Sequence, residues 1–326
     1  MNNINSNRII IDPENPGHVL EAALAAEDGG HSILHGSGIR RNNEMSDYVV
    51  NKGDAIPLHT HEYGYELFYV VKGVVTAVVG GFRALVEPGD MLLIQPFTPH
   101  GFQYNEDTLW WEILSELSMW DDVRSIDRIF ENCPDLFFRD RAFNENFMRR
   151  KGQTDYLEFP MMDVTEVKPE GLPGFLRKGA CYKSYRFPGI ECRLKYPKWE
   201  LNGLKEVWEF ALDENVSVDF AEHYFSEEFM VVAEGRVLVE AQREEPQIAE
   251  KGHVIRIPDY TAHRITALKG GAVVQDFNVQ FNLLLMLDEI DAYRRKDPGS
   301  LGKSRIRDIF SKYNCPYTGI TGIFGS

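Results

Sequence analysis

Short runs rich in Val, Ile, Phe and Tyr, interrupted by Gly and Pro, fill two stretches of the chain, roughly 45–117 and 205–282. In the first, DYVVNKGDAIPLH is followed by ELFYVVKGVVTAVVGGFRALVEPGDMLLIQP; in the second, EFMVVAEGRVLVEAQ and EKGHVIRIPDY repeat the style. β-rich runs this short, at such regular spacing, predict an all-β sandwich or barrel and not alternating strands and helices. Helical periodicity is confined to the flanks. Trp120, Val123, Ile126, Ile129 and Phe130 recur every three or four residues, and FNLLLMLDEIDAYRRKDPG reads as a helix stopped by Pro298 and Gly299. The polar segment DVTEVKPEGLPG (163–174) is the predicted linker, and the turn-rich end from Ser311 is predicted to lack regular structure and to wrap a neighbour or cover a pocket.

The two β-stretches are copies of one plan. His61 to Glu66 spans five residues, as does His223 to Glu228; Glu66 to Gly73 spans seven, as does Glu228 to Gly235. Glu66 to His100 spans thirty-four residues against thirty-five for Glu228 to His263, and the plan recurs after 162. A repeat of half the chain length points to a duplicated domain, placed at 1–150 and 151–326.

Chemistry concentrates in the first copy. His59 and His61 alternate along one strand and therefore project together; Glu66 opens the next run, and His100 arrives about one hairpin later. Three imidazoles and a carboxylate can then converge inside a barrel on a divalent ion, and such mixed ligation suits Fe²⁺, Mn²⁺, Ni²⁺, Co²⁺ or Zn²⁺. The segments Gly53 to Gly73 and Pro88 to His100 resemble the two sequence motifs of the cupin superfamily, and the duplication makes the chain similar to a bicupin. That resemblance implies two tandem double-stranded β-helix (jelly-roll) barrels with a few flanking helices, and metal ligation by His59, His61, Glu66 and His100. In the second copy Ala221 stands in place of the first His, leaving His223, Glu228 and His263 as a second candidate metal site. A structural or dimer-forming role is the expectation for that barrel. Glu222 is expected to point away from His223, and His253, beside a turn, to be exposed. His31 and His35 are i, i+4, but GGHSILHGSG is too glycine-rich for a helix and is read as a loop.

A metal bound this way would leave room for an enol, enolate or hydroxy-ketone, with Glu66 placed to take a proton. Resemblance to quercetin-dioxygenase-like bicupins implies an iron-dependent dioxygenase, an oxidoreductase that cleaves a carbon–carbon bond of a small enolisable, diketone or phenolic substrate. The alternatives are a non-oxidative isomerase, decarboxylase or lyase with the same ligands, and a bicupin that binds a small ligand without catalysis. Phe68, Val70, Phe102 and Tyr104 fall on the faces of Glu66 and His100 and are the pocket candidates; one of Trp110 and Trp111 must also face inward.

Composition trims the field. The chain has 326 residues, 43% hydrophobic and 26% charged, which suits ordinary globular domains and not a disordered segment. Its formal charge of −15 opposes a phosphate-rich partner, and the seven basic against five acidic residues from Asn282 onward fall short of a nucleic-acid-binding face. Cys133, Cys181, Cys192 and Cys315 form no C-x-x-C pair, as expected in a reducing cytoplasm. No apolar run approaches a membrane span, and the three isoleucines after Arg8 are too few for a signal sequence. The expected partners are therefore a small-molecule substrate and a second copy in a homodimer.

Overall fold

The structure is a computed structural model that describes residues 10–11, 24–26, 29–35, 44–53, 55–61, 64–114, 153–154, 164–203, 205–220, 228–242, 244–257, 261–297, 302–313 and 315. The chain divides into two compact units, residues 20–179 and residues 180–326 together with 1–19. The amphipathic segment around Trp120, along with Ala221 to His223 and Cys133, lies outside the described residues.

In the unit 20–179, two largely antiparallel sheets enclose the core. One runs 153–154, 55–61, 100–104, 75–79, 82–86, 165–166; the other runs 175–176, 91–94, 66–72, 108–114, 44–50, 29–35, 24–26. Phe68, Val70, Ala77, Val79, Val86, Ile94, Phe102 and Trp110 fill the space between them. The segment 29–35 is thus a strand, paired to 44–50 with His31 opposite Tyr48, and not the expected loop. Its glycines Gly29 and Gly30 pair with Ala26 and Ala25, so partnership across the sheet overrides local propensity. The predicted linker also has a place in the fold. Thr165–Glu166 adds in parallel to Phe82–Arg83, and Phe175–Leu176 adds to Met91–Leu92. Asp90, buried beneath this tail, accepts hydrogen bonds from the backbone N–H groups of Glu87 (3.1 Å) and Lys178 (2.9 Å).

The second unit is one continuous nine-stranded sheet, in the order 10–11, 254–257, 228–241, 263–279, 206–212, 190–196, 183–187, with 217–220 and 247–250 paired at its sides. Two of its strands are very long, 14 and 17 residues, and the register between them slips near Gly235. The slip lets one pair of strands turn the barrel corner. In the first unit Gly73 (φ 86°) interrupts the equivalent path.

Two helices close the chain over this core. The first, α1 (Leu283–Lys296), buries Leu283, Met286, Leu287 and Ile290, the i, i+3, i+4, i+7 stripe of an amphipathic helix. The second, α2 (Lys303–Lys312), buries Ile306, Ile309 and Phe310, so Ser311 and Lys312 of the predicted irregular tail are helical. The start of α1 is tied to the barrel by Glu206, whose Oε2 accepts from the Trp208 indole N–H (2.8 Å) and the Leu284 backbone N–H (3.0 Å). Burial pushes the Glu206 carboxyl up to about 7, against the opposing pull of these donors and Lys198. A raised carboxyl contributes stability that is complete below its unfolded value near 4.5 and is lost as pH rises through about 7. Glu206→Gln keeps an acceptor for both donors and carries no charge. Thermal unfolding is therefore expected to find the variant close to wild type at pH 5 and more stable at pH 8, by about 1–3 kcal/mol.

Candidate metal centre

The antiparallel ladder of the first unit places His59 directly opposite His100, with His61 two positions further along the same strand. Glu66 opens the strand Glu66–Lys72, and its carboxylate is buried at 4% exposure beside His100, itself 1% exposed. Nε2 of His100 stands 2.8 Å from Oε2 of Glu66. The other ring nitrogen lies 2.8 Å from the carbonyl oxygen of Thr98.

That second contact decides the chemistry of the first. A carbonyl can only accept, so Nδ1 carries a proton and Nε2 is the nitrogen that faces the carboxylate. Two acceptors held together in a dry interior require a positive charge between them, either a proton or a cation. A histidine whose outer N–H is anchored to a backbone carbonyl is the usual arrangement at protein metal centres. The spacing fits as well: two ligand atoms about 2.1 Å from one ion, at right angles to each other, stand about 3 Å apart. The Glu66–His100 pair therefore suits two positions around a divalent metal; among the described residues no group of three or more His, Cys, Asp or Glu that could hold an ion comes together, and the side chains of His59 and His61 lie outside that description.

Beneath the pair lies an aromatic floor. The His100 ring centroid is 5.9 Å from that of Phe102; Phe68 stacks on Trp110 at 4.5 Å, and Phe102 and Tyr104 meet Trp110 edge-on at 4.7 and 5.4 Å. With Val70, 1% exposed, the pocket candidates thus form the packed interior under the site. Trp110 is the inward indole. Trp111 is buried on the opposite face, at 0% exposure.

The second unit repeats the device. Nε2 of His263 is 3.1 Å from Oε2 of Glu228, and Nδ1 of His263 is 3.0 Å from the Thr261 carbonyl oxygen. Both side chains are essentially inaccessible, 0% and 1% exposed. His253 is half-buried and not exposed as expected. Its Nδ1 accepts the Glu250 backbone N–H (3.3 Å), the same turn-closing bond that Asp90 makes to Glu87 in the first copy.

Each barrel also carries an interior carboxylate outside the sequence-predicted site, Glu112 in one and Asp276 in the other, 4% and 0% exposed. A charged residue inside an otherwise apolar strand, TLWWEIL or AVVQDFNV, is the sequence signal that could have found them.

A separate groove of about 610 Å³ lies on the outer side of the 75–79 and 82–86 hairpin, among Thr76, Leu85 and Gln103. Its charges are used within the fold: Arg83 pairs with Glu166, and Arg177 with Glu170 and Glu87.

Comparison with known proteins bears on the fold. Residues 46–113 match the family described as cupin domain. No curated protein sequence matches the chain. Among solved structures, an oxalate decarboxylase of Lactobacillus farciminis in a formate complex superposes with a TM-score of 0.52 at 14% identity, over 90% of this chain and 94% of that one. A cupin 2 conserved barrel domain protein from Leptotrichia buccalis gives 0.51 at 11% identity, over 82% and 94%. Vicilin from hazelnut, Corylus avellana, gives 0.51 at 14%, over 83% and 86%. The fold is that of a double-barrelled jelly roll. Residues 46–113 carry the cupin match, and the rest of the chain shares the bicupin fold of these structures. Among the described residues no helix is long and apolar enough to cross a membrane.

Proposed function

We propose that this chain is a metal-dependent bicupin enzyme whose principal site is held by His59, His61, Glu66 and His100, and that it performs a non-oxidative lyase, decarboxylase or isomerase reaction on a small chelating acid or ketone. The observation that carries the proposal is the buried Glu66–His100 pair with its outer N–H anchored on Thr98. A bound divalent ion would supply Lewis-acid polarisation of a substrate carbonyl. The chain's own residues do the rest. Thr98 holds the imidazole in one tautomer, Glu66 is placed to accept a proton, and the floor of Phe68, Phe102 and Trp110 excludes water and suits the apolar part of a ligand. The non-oxidative class is favoured because oxalate decarboxylases, named for loss of CO₂ from a small dicarboxylate, share the two-barrel fold over most of both chains. The dioxygenase reading rests on the same ligands and differs in one observable, O₂ consumption. Glu228 and His263, with His223, are the corresponding candidates for a second ion.

The test is elemental analysis of protein purified without an affinity tag, followed by assays with and without O₂. About one or two equivalents of a divalent transition metal, and turnover that persists without O₂, would support the proposal. Turnover that stops without O₂ would move the assignment to the dioxygenase class, with iron the expected ion. Protein that binds no metal, even after reconstitution, would leave a ligand-binding bicupin.

A further inference from the structure

We infer that Glu112 is a second catalytic carboxylate of the first barrel, a non-ligand group that carries the proton to or from the substrate carbon. The inference rests on the metal-enzyme reading above and adds to it a second acid–base group beside Glu66.

The strand register places it. On the ladder between 66–72 and 108–114, Glu66 lies opposite Leu114 and Phe68 lies opposite Glu112. Glu66 and Glu112 are therefore diagonal neighbours, with Cα atoms about 7–8 Å apart and side chains within reach of a common small molecule. Alternation fixes the face. Phe68 and Trp110 belong to the interior cluster, and Glu112 is the cross-strand partner of one and two residues beyond the other. Glu112 thus projects into the barrel on the wall that carries Glu66, and it is buried at 4% exposure.

The second barrel supplies an independent copy of this placement. Asp276 lies opposite Met230, two residues beyond Glu228, and Met230 is the counterpart of Phe68 under the 162-residue repeat. The opposite neighbour of Asp276 is the core residue Trp208. Both copies thus hold a carboxylate at one ladder position, diagonal to the glutamate that meets the histidine. A barrel that needed only filling would take an apolar residue there, because burying an ionisable side chain costs free energy. Two buried carboxylates on one wall, the first of them beside a histidine, are suited to divided roles in acid–base catalysis.

In the proposed step a substrate acid loses CO₂ as its carbon–carbon bond breaks. The bonding electron pair stays on the remaining fragment as an enolate. The Glu112 carboxyl gives its proton to that carbon, forming the C–H bond, and the carboxylate left behind recovers a proton from water. The reverse transfer abstracts a proton from a carbon adjacent to a carbonyl.

The experiment uses the full chain loaded with Co²⁺, as wild type, Glu112→Gln and Glu112→Asp. Three quantities are measured: bound cobalt and its d–d absorption, exchange of pyruvate methyl protons with ²H₂O by NMR, and CO₂ release from oxaloacetate. Wild type is expected to accelerate exchange and CO₂ release beyond free Co²⁺. Glu112→Gln is expected to keep cobalt affinity within about threefold while losing at least about 100-fold of the acceleration, the usual contribution of a positioned acid–base group. Glu112→Asp, which uses the residue the other barrel accommodates at this position, is expected to recover part of the loss and guards against a folding defect in the first variant. The inference is overturned if Glu112→Gln accelerates within about threefold of wild type, or if it loses cobalt together with activity, which would make Glu112 a ligand. Wild type that binds cobalt yet accelerates neither reaction also overturns it. Wild type that binds no cobalt overturns the metal-enzyme reading itself, so the two failures are distinct.

Discussion

Replacing His100 by Ala is expected to empty the first barrel of metal. His100, on one sheet, meets the Glu66 carboxylate of the other in a dry interior and is anchored on the carbonyl of Thr98 in the turn just before its strand. Removing the ring deletes one donor atom and leaves the Glu66 carboxylate beside a void, since both side chains are at least 95% buried. Loss of a group that merely orients a ligand weakens metal binding about 10–100-fold. Loss of a ligand is expected to exceed that, so His100→Ala should bind at least about 100-fold more weakly in a competition titration with a chelator. The matched variant His263→Ala separates the two barrels. If it leaves the metal content unchanged, one barrel holds the metal; if each variant removes about half of two equivalents, both barrels do. Retention of a full equivalent by the double variant would refute both sites.

A large stability effect is expected at Gly235, between the two longest strands. Its φ is 75°, where a side chain is strained, and a Cβ there would sit 2.2 Å from the backbone oxygen of Gly271 and 3.0 Å from Cα of Ala272. The obstacle is backbone and cannot swing aside. Gly235→Ala is expected to cost about 3–5 kcal/mol, combining left-handed strain with a forced separation of the two longest strands. Gly179→Ala is the control. It has a similar φ of 76° but no atom within 4 Å of the added carbon, so it should lose only about 1 kcal/mol. Urea unfolding of both variants measures the difference, and equal losses would show that strain alone, not the close approach, governs Gly235.

The pairs Glu66–His100 and Glu228–His263 are legible in the sequence alone, because their spacing is dictated by the hairpin between them and repeats after 162 residues. Strand type is legible too. VTAVV is buried on alternate residues, whereas MLLI is buried throughout, the difference between a strand with one covered face and a strand with two. In α2 the spacing of Ile306, Ile309 and Phe310 holds a helical signal that the surrounding turn formers mask.

Other features depend on partners distant in the chain. Ile10–Ile11 pairs with Val254–Ile255, more than 240 positions away, an addition whose sequence carries no address. The tail from Thr165 to Leu176 reads locally as a linker because a strand of two residues has no periodicity to detect. Glu112 and Asp276 become site candidates only because register sets them diagonal to Glu66 and Glu228. His100 shows the division within one residue. The sequence by itself determined that an imidazole and a carboxylate recur at matched intervals in two β-rich halves, because ligand type and hairpin length are local properties. Only the tertiary structure decided which nitrogen faces the carboxylate, because that depends on where the Thr98 carbonyl points once both sheets have closed.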